Sequence, residues 1–486
     1  MRSRNCLVAA CAVLSLVATS CRRQESGPIN VSAIGPAPRI ANPNREPIDA
    51  PSGYLLQSVA QGLVRFDAGG DVEPGLAQSW IISNDGLRYT FRLQRLDWPG
   101  GGGRITTAEV VARLKTAAAP NSRNALKPVL GGIDDIETMT DEVLEISLKA
   151  PRPDFLQLLA QPELAIVRAG SGAGPYRLAR READAVLLAP PPRDEDEAAA
   201  GQPDPAIRLR GEPAAAAAAR FDRGGADLVT GGTIGDLPLA QALDASARSF
   251  VVDPAAGLFG LAFTGTDAAW SKPEARQALA MAIDREAIAA SFPAARLQPR
   301  ATLLPAGIEG ISAPAAPSWA ALPIAERRAL AARTLAGMFG KVRPTVRVGL
   351  PEGPGDRLLF ALLRRDWAAV GVDAARAAPG GTADLVLVDE VAPISLASWY
   401  LRRFTCEASR ICDSAADQAM EGAREAPTQE ARRTLLIQAD GLVAAATPFI
   451  AIGAPVRWSL VSPRLTGFRP NLFARHPAGE LLRRQP

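Results

Sequence analysis

Residues 61–93 read QGLVRFDAGGDVEPGLAQSWIISNDGLRYTFRL, and this stretch decides how the rest of the chain is parsed. A short amphipathic helix, YLLQSVA, runs into it and gives way to a strand at GLVRF. Pro74 and Gly75 shape a turn. Asn84-Asp85-Gly86 is a second turn signal, and GLRYTFRLQRL after it alternates apolar and polar residues as a half-buried strand does. Trp80 and Phe91 read as core packing.

Outward from there, Trp98-Pro99 followed by four glycines makes a loop. Thr107 is placed to cap a helix over TAEVVARLKTAA, in which Ala108, Val111 and Leu114 repeat at helical spacing. DEVLEISLKAP is a strand that stops at proline. Beyond Gly170 the character changes. GSGAGPYRLAR is a Gly-rich turn entering a strand. AVLLAPPPRDEDEAAAGQPDP breaks into a Pro-rich, acidic surface loop, and the alanine run 214–219 is a surface helix before ADLV. After Leu258 the strand LFGLAFT leads into SKPEARQALAMAIDREAIAASF, where Ala275, Leu279, Ala282 and Ile283 share a face and Pro273 sits near the start. Two further helix-to-strand units follow, RALAARTLAGMFG with TVRVGLP and RLLFALLRRDWAAVGVDAARA with ADLVLVDE. Helices alternating with buried strands argue for an α/β lobe with a mostly parallel sheet. A long helix over 428–446 and a strand in PFIAIGAPVRWSLVS close the chain.

At 486 residues the chain is too long for one simple core and divides into two or three lobes. The net charge is +3, and Arg2 and Arg4 supply two of those charges, so the remainder is nearly neutral and carries no basic footprint for nucleic acid. Those arginines precede an apolar run, 6–18, too short to span a bilayer, and Ala18, Thr19 and Ser20 then precede Cys21. The arrangement is that of a bacterial lipobox, with residues 1–20 the signal peptide and Cys21 the lipidated residue. The position usually held by Leu is Ala18, and an ordinary signal peptide with a coincidental cysteine is the alternative. Export leaves Cys406 and Cys412, which read as a loop-closing disulfide, with unpaired thiols the other reading. No histidine or third cysteine lies near them for a metal. The single histidine, His476, limits imidazole chemistry, and there is no G-x-S-x-G elbow, P-loop or H-E-x-x-H. No cofactor, no metal and no enzymatic activity are expected.

The motifs together resemble solute-binding protein family 5, the periplasmic peptide-, dipeptide- and nickel-binding proteins of ABC importers. Pro74, Gly75, Leu76, Ala77, Ser79, Trp80, Ser83, Asp85, Gly86, Tyr89, Thr90 and Phe91 fall on one of its patterns. TTAEVVARLK, GAGPYRL, FDRGGADLV, PEARQALAMAIDREAI, RRDWAAVGVDA and TPFIAI follow in the family's order over nearly the whole mature chain. There are departures: Pro99 and a glycine run replace an Asp-Gly turn after Trp98, Phe263-Thr264 stands where "fN" is usual, and PPPRDEDE replaces a familiar aromatic stretch. Aromatics are only 5% of residues, few for a peptide-lined cleft.

The resemblance implies a two-lobed α/β periplasmic-binding-protein fold with an extra small α+β domain, the large, cluster-C-like architecture. Residues 21–50 would be the tether and first strand of lobe I, 51–169 the small domain, 170–255 lobe I, 256–447 lobe II, and 448–486 the return to lobe I. Crossings near 256–264 and 447–455 would form the hinge. A small-molecule or peptide ligand would be enclosed between the lobes and handed to an ABC permease and ATPase complex. The chain would be a monomer held at the membrane by a lipid anchor, in the periplasm or cell envelope. By analogy with peptide-binding relatives, Asp389 is the nearest match to the aspartate that pairs with a ligand amine, with Glu390 beside it. Trp399 and Tyr400 are candidates to pack on ligand, with core or surface packing the other reading, and Arg402 and Arg403 to hold a carboxylate, one of them facing solvent; Arg276 and Asp284 are expected in structural ion pairs. An orphan lipoprotein keeping the fold as a scaffold or chaperone is the alternative function.

Overall fold

The computed structural model describes residues 27–192, 204–243 and 249–482; residues 1–20, Cys21 and Asp196 of the acidic loop lie outside that range. A seven-stranded sheet is centred on Ile29–Ile34. This strand pairs in parallel with Ile207–Glu212 on one side and Leu228–Gly232 on the other. Val186–Ala189 and Arg177–Arg181 extend the first side, and Trp458–Val461 and Phe250–Val252 the second, all antiparallel. Ile29, Val31 and Ala33 point to one buried face, where Tyr54, Leu55 and Val59 of the helix Ala50–Val59 pack on them.

A five-stranded sheet runs in the order Asp373–Arg376, Thr345–Gly349, Leu385–Val391, Gly257–Phe263 and Phe449–Gly453. Its first three strands are mutually parallel, which fits the helix-strand alternation of the sequence. Every residue of Gly257–Phe263 is buried. Gly260 is required there, because a Cβ would lie 2.2 Å from the Ile450 carbonyl oxygen of the neighbouring strand. Arg276 makes no ion pair among the described residues; its buried guanidinium donates to the carbonyls of Trp270, Ser271, Ala446 and Thr447. Asp284 caps the helix Arg285–Ser291 by accepting from Ala287 N at 3.0 Å.

The small domain is a four-stranded antiparallel sheet, Ala77–Ile82, Arg88–Leu93, Val143–Leu148 and Ile133–Thr138, covered by the helix Thr107–Ala118. The cap of that helix is Thr106 rather than Thr107. Thr106 and Glu109 form a reciprocal capping box, while Thr107 donates its hydroxyl to the Thr140 carbonyl at 2.6 Å. The apolar core of this domain continues into the five-stranded lobe: Leu148, Phe155 and Leu158 share one cluster with Trp399, Phe404 and Leu436.

Strand pairing puts the two connections between the large sheets at residues 253–256 and 454–457. Phe449–Gly453 still pairs with Gly257–Phe263 in the five-stranded sheet, so the chain leaves that sheet only after Gly453. Cys406 and Cys412 are joined in a disulfide with Cα atoms 5.0 Å apart.

Gly174 of the GPY motif presses against the end of the helix Ala50–Val59. Its N–H donates to Val59 O at 3.1 Å, and a Cβ would lie 2.5 Å from Ala60 N and Val59 C. Rigid backbone on the other side cannot move aside as a side chain would. Gly174→Ala should therefore destabilise the protein by on the order of 1–3 kcal/mol in urea unfolding. Gly337→Ala, in the helix Ile324–Phe339 with open space around it, should be neutral or stabilising by up to about 1 kcal/mol.

Candidate functional site

The strand Leu385–Val391 ends at the seam between the lobes, and the chain passes from it into the short helix Ala397–Leu401. Glu309 sets that helix in place. One carboxylate oxygen accepts from Ala397 N at 2.7 Å, and the other accepts from Arg432 Nε at 2.9 Å. The helix start thus receives its anion from a distant loop, as the dipole favours.

The five candidate residues go to different places. Asp389 Oδ1 accepts from Arg457 Nη1 at 2.7 Å, and its backbone carbonyl accepts from Arg457 Nη2 at 2.9 Å. Burial pushes its carboxyl up, and Arg457 opposes that shift. The charge of Asp389 is thus matched within the fold, by a residue of the second crossing. Glu390, on the other face of the strand, pairs with Arg403 at 2.7 Å near the surface. Tyr400 is buried at 1% exposure and meets Trp399 edge-on, ring centroids 4.9 Å apart. Trp399 and Arg402 line a cavity of about 60 Å³.

That cavity lies on the seam between the small domain and the five-stranded lobe. Pro128, Val129 and Arg152 wall it from the small domain, and Trp399, Arg402, Arg424 and Arg432 from the lobe. The first and the last of these arginines carried no sequence signal. Arg152 follows the strand-ending proline of LKAP, and Arg432 lies inside the long helix Gln429–Ala446, where an arginine reads as a solvated residue.

A second meeting of the lobes lies on the other side of Asp389. Gly355 N donates to Gly235 O at 2.8 Å, joining the start of the helix Pro354–Ala368 to the seven-stranded lobe. Asp356 is buried at this contact, and burial raises its pKa to about 6, with Asp236 and Asp389 adding to the shift. Asp236 is itself raised by burial. Three carboxylates thus face the same join.

Comparison with known proteins agrees with this architecture. The sequence profile for bacterial extracellular solute-binding proteins, family 5 Middle, matches residues 71–400. The nickel-binding periplasmic protein of Escherichia coli K12 is 33% identical over 136 residues, 28% of this chain and 24% of that protein. A glutathione-binding protein of Pectobacterium atrosepticum is 31% identical over 146 residues, 26% of this chain and 28% of that protein. The chain aligns with about a quarter of the length of these curated relatives. Whole-chain likeness is seen in solved structures. The OppA of Haemophilus influenzae, in complex with RPPGFSPFR, superposes with a TM-score of 0.80 at 17% identity, over 92% of this chain and 97% of that one. The Escherichia coli murein tripeptide binding protein MppA gives 0.78 at 20% identity, over 91% and 96%. The fold is therefore the two-lobed α/β binding-protein architecture.

Asp356 gives this site a pH signature. A carboxyl whose folded pKa is raised favours the folded state fully only below its unfolded value, near 4, and that contribution is lost as pH climbs to about 6. Asp356→Asn removes the ionisation and keeps an oxygen able to accept from Gly353 N, the present partner at 3.1 Å. Stability measured by urea titration should then fall less between pH 4 and pH 6 in the variant. At pH 7 the variant should be more stable than wild type by on the order of 1–2 kcal/mol. A wild-type and variant difference that does not change with pH would contradict this.

Proposed function

Because this chain belongs to the bacterial extracellular solute-binding proteins of family 5, its match running over residues 71–400, we propose that it is the extracytoplasmic solute-binding component of an ABC importer. In this reading it captures a small peptide or peptide-like polar solute between its lobes and delivers it to the permease and ATPase complex. The observation that supports the reading is the division into a seven-stranded and a five-stranded sheet joined at 253–256 and 454–457; the cavity that Trp399 and Arg402 line lies between the small domain and the five-stranded lobe. With only two connections between the large sheets, at 253–256 and 454–457, the lobes are free to part and close as hinged bodies. Lobe I is formed around the seven-stranded sheet and lobe II around the five-stranded one. A solute between them would be desolvated on closing, so each of its polar groups would need a partner. The named ligands of relatives, nickel, glutathione and peptides, all carry polar or charged groups that would need such partners. Trp399 and Arg402 are the sequence candidates with access to it; Asp389, Glu390 and Tyr400 support the segment that carries them.

Native mass spectrometry of gently purified protein should find a co-purified polar solute, and small-angle scattering should record compaction when it is added back to the stripped protein. A chain that retains nothing and keeps one radius of gyration across peptide, opine and metal-chelate screens would instead be the orphan scaffold.

The same reading makes the chain a monomer, exported by residues 1–20 and anchored through a lipid on Cys21 in the cell envelope. No helix of the described residues is long and apolar enough to cross a membrane, so attachment would rest on the lipid. A fatty-acid probe should label the wild type and not Cys21→Ala, which should leave the membrane fraction. Equal labelling of the two would refute the anchor.

A further inference from the structure

We propose that Arg152, Arg402 and Arg432 form a pocket that recognises an oxyanion group, a carboxylate, sulfate or phosphate, of the solute held at the seam. This rests on the solute-binding reading and names the chemistry that one end of the solute must carry.

The first ground is unsatisfied hydrogen bonding. Arg152 Nε, Arg402 Nη1 and Arg432 Nη2 are each buried without a partner among the described residues, and all three side chains line the same cavity. Arg432 is only 6% exposed. A buried guanidinium N–H left without an acceptor costs far more than an exposed one, so three converging on one space point to an acceptor that arrives there.

The second ground is charge. Arg432 has Glu309, at 2.9 Å, and the Ala423 carbonyl at 3.0 Å. Among the described residues Arg152 has only the Val129 carbonyl, at 3.4 Å. Arg402 faces Glu390, which is already paired with Arg403. Arg424 at the rim is held by Glu421 at 3.0 Å, and Asp154 nearby is raised by burial and by Glu309. Among the described residues, one of the three guanidinium groups, Arg432, is therefore paired directly with a carboxylate. Burial and the neighbouring arginines push Arg152 and Arg402 down to about 10, the direction expected of cations that lack a counter-ion.

The third ground is shape. The cavity of about 60 Å³ exceeds the roughly 10–15 Å³ that one water needs and suits an oxyanion head rather than a whole solute. Gly132 makes the arrangement possible: a Cβ there would lie 2.3 Å from Arg152 Cζ and Nη2. Guanidinium forks match planar and tetrahedral oxyanions through paired N–H donors, which a lysine cannot reproduce. Because Arg152 comes from the small domain and the other two from the lobe, a bound oxyanion would tie the two together.

The test titrates the mature protein with sodium sulfate, sodium phosphate and N-acetylglycine against sodium chloride at matched ionic strength, read by calorimetry and thermal melts. At least one oxyanion should bind saturably, and Arg402→Gln and Arg152→Gln should weaken it at least tenfold, while the exposed control Arg333→Gln leaves it unchanged. Gly132→Ala, which displaces Arg152 without removing charge, should weaken it too and covers the case in which an arginine variant fails to fold. Binding of sulfate or phosphate alone indicates a phosphate or sulfate group; binding of N-acetylglycine indicates a carboxylate. Identical melts in all four salts overturn the proposal. So does a co-purified solute that both arginine variants retain with wild-type affinity, and in that case the solute-binding reading survives. Absence of any solute and of compaction would instead remove that reading itself.

Discussion

The two connections between the large sheets are tied to each other by one backbone hydrogen bond. Asp253 N–H donates to the Arg457 carbonyl at 2.9 Å, holding the two connections between the lobes side by side. The side chains of the same two residues then reach in opposite directions. Asp253 accepts from Asn471 N at 2.9 Å and faces His476 Nε2 at 3.2 Å, all buried against the seven-stranded lobe. Arg457 forks onto Asp389 of the five-stranded lobe. One crossing is thus anchored to each body. The close-packed starts of the sheets enforce this: a Cβ on Gly257 would lie 2.0 Å from Glu390 O, and one on Gly453 would lie 2.7 Å from Gln298 O. The lone histidine and the foremost ligand candidate thus both support the two crossings.

Much of the architecture was legible because it rests on local rules. Turn residues, alternation in 87–96 and the helix-strand repeats after Leu258 are consequences of nearest-neighbour chemistry, and they mark strands of the small domain and of the five-stranded lobe. The motif glycines were visible as glycines, but their reason was not. Gly174 is needed because Ser58–Ala60 backbone lies against it, a contact across more than a hundred residues. The one-residue shift of the helix cap from Thr107 to Thr106 has a similar cause. Thr107 is drawn off by a carbonyl of the neighbouring sheet, leaving the preceding threonine to cap.

The site was less legible, for a physical reason. Asp389 and Glu390 were placed by their position at a strand's end, where ligand clefts form. Sequence position, however, says nothing about which charge a folded neighbour already neutralises. Arg457 and Arg403, 68 and 13 residues away, use both carboxylates. The reverse holds for Arg152 and Arg432. Each sits in a context where an arginine is ordinarily solvated, and only packing the small domain onto the five-stranded lobe turns them inward together.

The seam therefore carries two opposite imbalances. At one contact Asp236, Asp356 and Asp389 crowd together with Arg457 as the direct partner of the last. At the other, between the small domain and the five-stranded lobe, Arg152, Arg402 and Arg432 line one cavity and Glu309 pairs directly with Arg432. Withdrawing an unmatched charge from water is expensive, so a lobe closure that buries the carboxylates of the first contact further would carry a cost. A solute shifts that balance only by interacting more strongly with the closed form than with the open one. In the proposed arginine pocket, oxygen acceptors would reach guanidinium groups of the small domain and of the five-stranded lobe together. A neutral or cationic group in the arginine pocket would meet the desolvation cost with nothing to offset it.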